Sequence, residues 1–402
     1  MKIAQQFDGK NIMIWGYGRE GKSTEEFLKR YANLASVTIF EGKPEELDPA
    51  GYDYVIKSPG IVFPQELDCL TSATDIFLAE YRNQVIGVTG TKGKSTTCAL
   101  LAHVLSETTG RPVLLMGNIG KPCLDYYGEI TPDTIVVFEM SCHQLAHLKM
   151  APRISVFLNL FEEHLDYYGS MEAYFTAKSH IATKQQIGDL FLCGENVPEF
   201  EIPSAKWVIT KADAEQLELK IPGAHNLLNA AFVRRIAESV YGCNPREVTK
   251  ALQTFVGLPH RLMEIGTYAG ITWYDDSIST IPEAAISAIA CIETAQTLLI
   301  GGMDRGIGYL PLEQYILAHP EYHYICMYAS GKRVYEETLA LAKKDCLPQL
   351  SCVSDLEEAV RKATEMTEQG KACILSPAAA SYGYFKNFEE RGDVFAQMVK
   401  NL

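Results

Sequence analysis

The chain has 402 residues, which is more than one ordinary domain needs, and its 47% hydrophobic residues can form several buried cores. Its 36 basic and 50 acidic residues give a net charge of −14, which argues against nonspecific nucleic-acid binding because that activity needs a basic surface. A locally positive pocket for a small anion is compatible with this charge.

The cysteines and the apolar segments indicate the compartment. The 11 cysteines include no CxxC pair, which excludes the usual zinc-ribbon and thioredoxin-like spacings, and free thiols in a reducing cytosol are expected. The first residues lack the apolar core of a signal peptide, and no run of about 18 apolar residues occurs. We therefore expect a cytoplasmic protein that has no membrane span, binds no nucleic acid and acts on small molecules.

Short apolar runs, each followed by a glycine or polar turn, alternate with helical patterns along the chain. This alternation predicts an α/β fold with parallel sheets of buried strands, and three clusters of runs predict three domains. The boundaries are expected near residue 83 and near 257–261, where Gly-Leu-Pro ends a helical pattern. The runs predicted as strands are NIMIWGYG, SVTIFEG, DYVIKSPG, QVIGVTG, TIVVFEMS, ISVFLNLF, ITWYDDS, TLLIGG, YICMYAS and ACILSPA.

The first strand is followed by a glycine cluster with G-x-G-x-x-G spacing, formed by Gly16, Gly18 and Gly21. Glycines at this spacing permit a tight turn and let a phosphate approach the N-terminus of the next helix. The second strand ends at Glu41, where a dinucleotide fold would hold a ribose, and Ser58-Pro59-Gly60 after the third strand is placed to line the same crevice. This pattern alone leaves NAD(P), FAD, another nucleotide or a purely structural turn open.

A second glycine cluster, residues 90–96, predicts phosphate binding more specifically. The strand VIGVT runs into GTKGKST, and an apolar helix follows. The backbone N–H groups of such a loop cradle phosphates, Lys94 can reach the β- and γ-phosphates, and a hydroxyl of Ser95 or Thr96 can bind Mg²⁺. Val88 occupies the position where the strict G-x-x-x-x-G-K motif has its first glycine. A glycine-rich turn that binds nothing is the alternative.

Two later strands end in residues suited to metal binding, Glu139 and His164. Ligands of open α/β sheets bind beyond the carboxyl ends of the strands, so Lys94, Glu139 and His164 are expected to converge. A carboxylate and a neutral imidazole are suitable Mg²⁺ or Mn²⁺ ligands beside phosphate oxygens. Taken singly, Glu139 resembles an acid at a helix start and His164 a loop histidine, but their shared location favours a metal site.

Lys178 interrupts an apolar stripe at helical spacing, formed by Met171, Tyr174, Phe175 and residues 181–182. One interpretation is a lysine that extends its ammonium group to solvent. The other is a partly desolvated lysine with a lowered pKa, whose neutral amine could react with CO₂.

Taken together, these motifs resemble the Mur ligase family, ATP-dependent enzymes that form amide bonds in peptidoglycan synthesis. The segments that carry the resemblance cover essentially the whole chain and occur in the family's order: GVTGTKGKSTT, EMSCHQL, EEHLDYYGSMEAYFTAK, PGAHNLLNA, GLPHRL, DDSIST and LSPAAASYGYFKNFEERG. The last segment is most similar to that of the glutamate-adding members. The resemblance implies a monomeric, ADP-forming ligase that uses ATP and Mg²⁺ or Mn²⁺ to add glutamate to UDP-N-acetylmuramoyl-L-alanine through an acyl phosphate.

The resemblance also implies the domains and their roles. An N-terminal Rossmann-like domain (1–83) would bind the UDP-sugar, a central P-loop-type ATPase domain with a mostly parallel sheet (84–260) would bind ATP, and a C-terminal Rossmann-like domain (261–402) would bind the amino acid. The first glycine cluster then serves UDP rather than NAD.

The resemblance carries specific roles onto matching residues of this chain. Catalysis is implied for Lys94, His164 and Lys178, and metal binding for Ser95, Thr96, Glu139, His164 and Lys178, the last as a carbamate. The implied UDP-sugar contacts are Gly18, Arg19, Glu20, Gly21, Glu41, Ser58, Pro59, Gly60 and Asn118. The implied ATP contacts are Gly90, Thr91, Lys92, Gly93, Lys94, Ser95, Thr96, Asn226, Asn229, Arg261 and Asp276. The implied glutamate contacts are Thr280, Arg305, Ser381 and Phe388.

Three positions depart from the family's motifs. Ile278 stands where the family commonly has lysine, SCHQLA at 141–146 lacks the motif's final glutamate, and Arg305 stands where a glutamate-binding lysine is often found. Arginine can bind a carboxylate through two hydrogen bonds, so Arg305 is expected to bind the amino acid, with a plain surface arginine as the alternative. These departures leave the handedness of the amino acid open.

Other functions compete with this interpretation. A related ligase could use L-glutamate or another amino acid, and a folylpolyglutamate synthase-like ligase also joins glutamate to a carboxylate, although GYGREG and SPG argue against the latter. An NAD(P)-dependent oxidoreductase would leave residues 90–96 unexplained. An assembly protein without catalysis would not need Lys94, Glu139, His164 and Lys178.

Overall fold

The structure, a computed structural model, describes residues 3–63, 65, 67–342 and 348–402. Its strands are β1 (Asn11–Trp15), β2 (Ser36–Phe40), β3 (Tyr54–Lys57), β4 (Leu70–Thr71), β5 (Val85–Thr89), β6 (Val113–Gly117), β7 (Ile135–Glu139), β8 (Ile154–Phe157), β9 (Leu190–Gly194), β10 (Ala205–Ile209), β11 (Met263–Tyr268), β12 (Ile271–Asp275), β13 (Ala295–Ile300), β14 (His323–Met327), β15 (Gln349–Val353) and β16 (Ala372–Leu375). Its α-helices are α1 (Arg19–Tyr31), α2 (Ala73–Tyr81), α3 (Lys94–Thr109), α4 (Cys142–Leu145), α5 (Leu165–Tyr168), α6 (Met171–Thr183), α7 (Lys211–Ala214), α8 (Ala224–Ser239), α9 (Pro245–Thr254), α10 (Pro282–Cys291), α11 (Leu310–Ala318), α12 (Tyr328–Leu341), α13 (Leu356–Met366) and α14 (Phe388–Lys400).

Within these described residues the strands form three sheets. The first has four strands in the order β2-β1-β3-β4, the second has six in the order β10-β9-β8-β5-β7-β6, and the third has six in the order β11-β12-β16-β13-β14-β15. The paired strands run parallel, except that β11 is antiparallel to β12. The predicted α/β class with mostly parallel sheets is confirmed.

Burial explains why these strands are apolar along their whole length. Every residue of β5 and β7 is buried, as expected for strands inside a parallel sheet that is covered on both faces. Each of the ten apolar runs predicted as strands contains one. One expectation is wrong: SVTIF forms β2 but is not buried, because β2 lies at the edge of its sheet and its first three residues are exposed.

The chain divides into two compact units, one comprising Met1–Leu219 with Ala224–Phe255 and the other comprising Lys220–Gly223 with Val256–Leu402. In the first unit, one buried cluster joins side chains of the first and second sheets, and the rings of Phe77 and Phe138 in it lie 5.8 Å apart. The domain boundaries at residues 83 and 260 stay predictions. None of the described helices combines the length and the apolar character needed to span a membrane.

Candidate nucleotide and metal site

The phosphate-loop candidate lies between β5 and α3, in the middle of the second sheet. Gly93, which directly precedes α3, has φ 84°, in the left-handed region, and a Cβ there would lie 2.8 Å from Oδ1 of Asn229. Glycine is therefore required at position 93 for both the backbone and the available space. Val88 is buried within β5, so the departure from the strict motif falls in the strand and not in the turn.

Two lysines donate hydrogen bonds to the same carbonyl of this loop. Lys94 Nζ lies 2.9 Å from both Gly90 O and Thr91 O. Lys178 Nζ lies 2.7 Å from Gly90 O and 3.4 Å from Thr89 Oγ1. The ammonium group of Lys94 beside a loop of backbone N–H groups concentrates positive charge where a phosphate can replace the carbonyls as acceptor.

Lys178 lies on the buried face of α6, as its position in the apolar stripe predicts. The helix begins after Ser170, whose Oγ accepts a hydrogen bond from the Ala173 amide. Lys178 is only 1% exposed, so its ammonium group does not reach solvent, and the interpretation as a lysine extended to water is wrong. Burial, aided by the positive charge of Lys94, lowers the pKa of Lys178 to about 7.

Glu139, the last residue of β7, is oriented by Asn118. Asn118 Nδ2 donates to Glu139 Oε1 at 2.8 Å, and the Asn118 amide donates to Glu139 O at 3.0 Å. Oε2 of Glu139 is buried and has no hydrogen-bond partner among the described residues. Because an unpartnered buried carboxylate oxygen is costly, this atom is suited to a cation. Asn118, predicted as a substrate contact, therefore also holds a candidate metal ligand.

His164 contacts Tyr174, and Tyr174 in turn contacts the glycine loop. His164 is exposed, and its ring centroid lies 5.9 Å from that of Tyr174. Tyr174 also lies beside Lys178, whose Nζ is 4.9 Å from the ring centroid, and beside Thr91, whose Oγ1 is 3.2 Å from Tyr174 Oη. The structure thus places Lys94, Glu139 and His164 at one end of the second sheet, as predicted from the ends of the parallel strands, and it adds Lys178 from α6.

The other predicted ATP contacts of the first unit surround the loop. Ser95 and Thr96 lie in the first turn of α3, where Thr96 is buried and Ser95 half-buried. Asn229 is buried on α8, and its Nδ2 donates to Asn226 Oδ1 at 3.3 Å. Lys92 is exposed and forms an ion pair with Glu163.

The first glycine cluster packs the start of α1 against β1. A Cβ on Gly21 would lie 2.1 Å from Gly16 O, so Gly21 is required by close packing. Ser58 Oγ donates to Gly16 O at 3.0 Å, which joins the ends of β1 and β3. A Cβ on Gly18 would meet nothing within 4 Å, so the approach above Gly18 is open. Glu41 is exposed beyond the end of β2.

A polar cluster beside this turn includes two residues that the motifs did not indicate, Lys57 and Gln144. Lys57 is buried, donates to Ile61 O at 2.8 Å, and has its pKa lowered to about 8 by burial. Burial raises the pKa of Glu20, although a hydrogen bond from Gln144 Nε2 at 2.9 Å opposes that change. The sequence offers one indication of Lys57: it is a single cation at the end of an apolar strand, directly before Ser58.

In the second unit, the predicted glutamate contacts lie beyond the carboxyl ends of β12, β13 and β16. Arg305 is exposed, and its Nη2 donates to Thr280 O at 3.1 Å. A bridge between Met303 and Ala380 brings the loop of Arg305 beside the buried Ser381. Phe388 begins α14, and its carbonyl accepts a hydrogen bond from Ser277 Oγ at 2.8 Å.

The predicted nucleotide contacts of the second unit are Arg261, which is exposed, and Asp276, which is buried. Asp276 accepts hydrogen bonds from Ser376 Oγ at 2.7 Å and from the Leu262 amide at 3.1 Å. Burial nevertheless raises the pKa of Asp276 to about 7. Ile278, which replaces the family's lysine, is half-buried.

A buried network that the sequence did not indicate supports these segments. Arg391 is fully buried and donates to Ser277 O at 2.7 Å and to Ala379 O at 3.0 Å. His260 Nδ1 lies 2.7 Å from Asp275 Oδ2. Arg391 and Ser277 are 114 positions apart in the sequence, so only the folded chain reveals their contact.

The glycine turn with two lysines on its carbonyl, and the unpartnered carboxylate beside it, define a nucleotide-binding protein of the phosphate-loop type. Comparison with known proteins agrees: the Mur ligase middle domain matches residues 88–201. A UDP-N-acetylmuramoyl-L-alanine–L-glutamate ligase of Xanthomonas euvesicatoria pv. vesicatoria is 30% identical, over 99% of this chain and 97% of its own. A UDP-N-acetylmuramoylalanine–D-glutamate ligase of Lactobacillus acidophilus is also 30% identical, over 100% of this chain and 99% of its own.

The comparison with solved structures shows the same fold. The crystal structure of MurF ligase from Thermotoga maritima in complex with ADP has a TM-score of 0.61 to this chain at 15% identity, covering 100% of this chain and 97% of its own. The chain therefore belongs to the Mur ligase family, whose members are ATP-dependent ligases of peptidoglycan precursor synthesis.

Proposed function

We propose that the protein joins the amino group of glutamate to the carboxyl group of UDP-N-acetylmuramoyl-L-alanine, and that ATP is converted to ADP and phosphate. The observation that carries the proposal is the position of Lys94 on the carbonyls of Gly90 and Thr91, at the same sheet end as Glu139, whose Oε2 has no partner among the described residues. This arrangement suits an anion and a cation together, as a nucleotide and its metal supply. The names of the two curated relatives support the other two substrates.

The phosphate loop would hold the nucleotide. Lys94 exchanges its two carbonyl acceptors for phosphate oxygens, and the backbone N–H groups at the start of α3 face the same phosphates. A carboxylate oxygen of the UDP-sugar substrate attacks the γ-phosphorus, and ADP leaves. The ammonium group of Lys94 offsets the negative charge that accumulates between the carboxylate and the phosphates. The glutamate nitrogen then attacks the acyl carbon of the acyl phosphate, its surplus proton passes to His164 or to the phosphate, and inorganic phosphate leaves.

The residues beside the loop fit Mg²⁺ or Mn²⁺. Glu139 offers its unpartnered Oε2, and His164 offers an exposed imidazole. The hydroxyl groups of Ser95 and Thr96 lie on the first turn of α3, and Lys178 would contribute an oxygen as a carbamate. When bound, the ion would neutralise phosphate charge during the transfer.

The remaining substrates would use the two other strand-end sites. The open approach above Gly18, together with Ser58 and Asn118, supports a place for the UDP-sugar. In the second unit, Arg305 is held to Thr280 O by one N–H group, which leaves further guanidinium donors for the carboxylate of glutamate.

The direct test is ADP release by the purified full-length protein. Sustained ADP release should require both UDP-N-acetylmuramoyl-L-alanine and glutamate. Omission of glutamate allows at most the single turnover that forms the acyl phosphate, and omission of the UDP-sugar gives the control rate. Both enantiomers are assayed, because the relatives are named for L- and for D-glutamate. A protein that releases no ADP with either enantiomer, or that ligates glutamate to a folate instead, contradicts the proposal. We also propose that the enzyme is a cytoplasmic monomer, which fractionation and light scattering can test.

A further inference from the structure

The Arg305 loop, residues 302–308, follows β13 and carries the candidate contact for a carboxylate of glutamate. One bridge joins Met303 of this loop to Ala380, and beyond it the loop is irregular and Arg305 is exposed. A guanidinium group binds a carboxylate through two parallel hydrogen bonds, and both depend on where its planar group is held. The contacts that fix residues 304–307 therefore decide how Arg305 meets the substrate.

Arg333, in the second turn of α12, contacts the Arg305 loop at two points. Its Nη2 donates to Asp304 Oδ1 at 2.9 Å and to Ile307 O at 2.7 Å, and its Nε lies 2.8 Å from Asp304 Oδ2. Asp304 Oδ1 also accepts a hydrogen bond from the Gly306 amide at 2.9 Å. One side chain of α12 thus holds the loop on both sides of Arg305.

The side chain of Arg333 is itself held by packing. It is half-buried, and its guanidinium carbon lies 4.9 Å from the ring centroid of Tyr309. Tyr309 is buried, and its Oη donates to Ala378 O at 3.2 Å. Glu337, one turn further along α12, is a weaker partner, with its Oε1 3.8 Å from Arg333 Nη1. Because the ring fixes the guanidinium plane in advance, the contacts with the loop cost little additional side-chain entropy.

We propose that Arg333 is a positioning residue for the glutamate site, which holds residues 304–307 in place and keeps Asp304 from pairing with Arg305. The carboxylate of Asp304 is next to Arg305 in the chain and would compete with the substrate for its guanidinium group. Because both oxygen atoms of Asp304 contact Arg333, that charge is neutralised there. The inference rests on the proposed function, in which Arg305 binds glutamate.

The kinetic test is the glutamate KM of Arg333→Met in the full-length protein. Methionine keeps an apolar chain against the aromatic ring and removes the charge. The glutamate KM should rise about tenfold or more, because a displacement of about 1 Å in a substrate-positioning group can cost up to 100-fold, while kcat changes less and the KM values for ATP and the UDP-sugar stay unchanged. Arg333→Lys should recover part of the loss, because an ammonium group can pair with Asp304 without the fork that also reaches Ile307 O.

Lys332→Met is the matched control, because it removes a positive charge from the neighbouring position of α12. Lys332 is exposed, and its ammonium group lies 3.8 Å from Glu336 of the same helix. The glutamate KM of this variant should equal that of the parent. An equal rise in Lys332→Met and Arg333→Met would show that the charge of α12 matters and not the contact with the loop, and would overturn the inference.

A double-mutant cycle separates positioning from an independent effect. If Arg333 acts through Arg305, the variant that combines Arg305→Ala with Arg333→Met should have the glutamate KM of Arg305→Ala alone. Increases that multiply would overturn the inference. An unchanged glutamate KM in Arg333→Met, with a raised one in Arg305→Ala, overturns the inference and leaves the proposed function intact. An unchanged glutamate KM in Arg305→Ala contradicts the proposed function at this site and the inference with it.

Hydrogen exchange measures the loop without any substrate. Amides of residues 302–308 should exchange faster in Arg333→Met than in the parent, because the Gly306 amide loses an acceptor that Arg333 holds in place, whereas Lys332→Met should match the parent. Thermal melts show whether each variant is folded, and Arg333→Lys carries the same comparison if Arg333→Met does not fold. Equal exchange of the loop in the parent and in the folded variant, whether fast or slow, overturns the inference.

Discussion

Replacement of Lys178 by arginine should abolish ligation, because a guanidinium group cannot form the proposed carbamate. Burial, together with Lys94, lowers the pKa of Lys178 from 10.5 to about 7. At pH 7 about half of this lysine is therefore neutral, whereas an ordinary lysine is neutral in roughly one molecule in 3,000. The neutral amine that attacks CO₂ is thus enriched by about three orders of magnitude. Its nitrogen bonds to the carbon of CO₂, and the displaced proton goes to solvent.

The carbamate also removes an electrostatic conflict. A buried ammonium group beside a metal ion would be repelled, whereas a carbamate carries the opposite charge and offers an oxygen ligand. Lys178→Ala should lose activity by about 100-fold or more, and a small carboxylate at high concentration should restore part of it by filling the vacated space. Lys178→Met, which has a similar length and no charge, serves as the control for folding and should melt at or above the temperature of the parent.

The assay combines steady-state ADP release with NMR of protein equilibrated with ¹³C-labelled bicarbonate. We expect a carbamate carbon resonance in the parent and in none of the Lys178 variants. If Lys178→Arg turns over as fast as the parent, or if the parent shows no carbamate resonance, Lys178 is only a buried cation and the reasoning is refuted.

Four further predictions follow from the same geometry. Lys94→Ala should lower turnover by about 100-fold or more with little change in Tm, because the hydrogen bonds it loses are those to two loop carbonyls; near-normal turnover would contradict the ATP assignment. Gly18→Val should raise the Kd for the UDP-sugar but not for ATP in calorimetric titrations, and equal losses would refute separate sites for the two ligands. Arg305→Ala should raise the glutamate KM roughly ten- to a hundredfold and leave the ATP KM unchanged, whereas an unaltered glutamate KM would make Arg305 a surface residue. The Asp276 carboxyl has a pKa of about 7 in the folded state and about 3.8 in the unfolded state, so its protonation stabilises the fold at low pH. Between pH 4 and pH 8 the parent should therefore lose about 4 kcal/mol of unfolding free energy that Asp276→Asn does not lose. Urea unfolding of both proteins at the two pH values tests this, and equal losses would contradict it.

The parts of the fold with strong local signals could be predicted from the sequence. Buried parallel strands such as β5 and β7 are continuous apolar runs, so both their positions and their pairing class follow from the residues. The placement of Lys94, Glu139 and His164 at one end of the second sheet was predictable because the carboxyl ends of parallel strands lie at one edge of a sheet.

Other features depend on contacts that no local pattern contains. The strand β11 pairs antiparallel and is only partly buried, so it lacks the continuous apolar run used to predict strands. The strand β9 is an exception, because it has such a run, LFLCG, which the ten predicted strands omit. The contacts of His143 with the rings of Tyr167 and Tyr168 escape motif rules because these residues follow two different strands. The buried contact of Arg391 with Ser277 joins residues that are 114 positions apart.

The most direct test of ligation through an acyl phosphate follows the oxygen atoms of the accepting carboxylate. UDP-N-acetylmuramoyl-L-alanine labelled with ¹⁸O at both carboxylate oxygens is incubated with ATP, glutamate and the enzyme. The masses of the products are then measured by mass spectrometry. One labelled oxygen should appear in inorganic phosphate and the other should stay in the new amide. Unlabelled phosphate, or the release of AMP and pyrophosphate, would contradict transfer of the γ-phosphoryl group to that carboxylate.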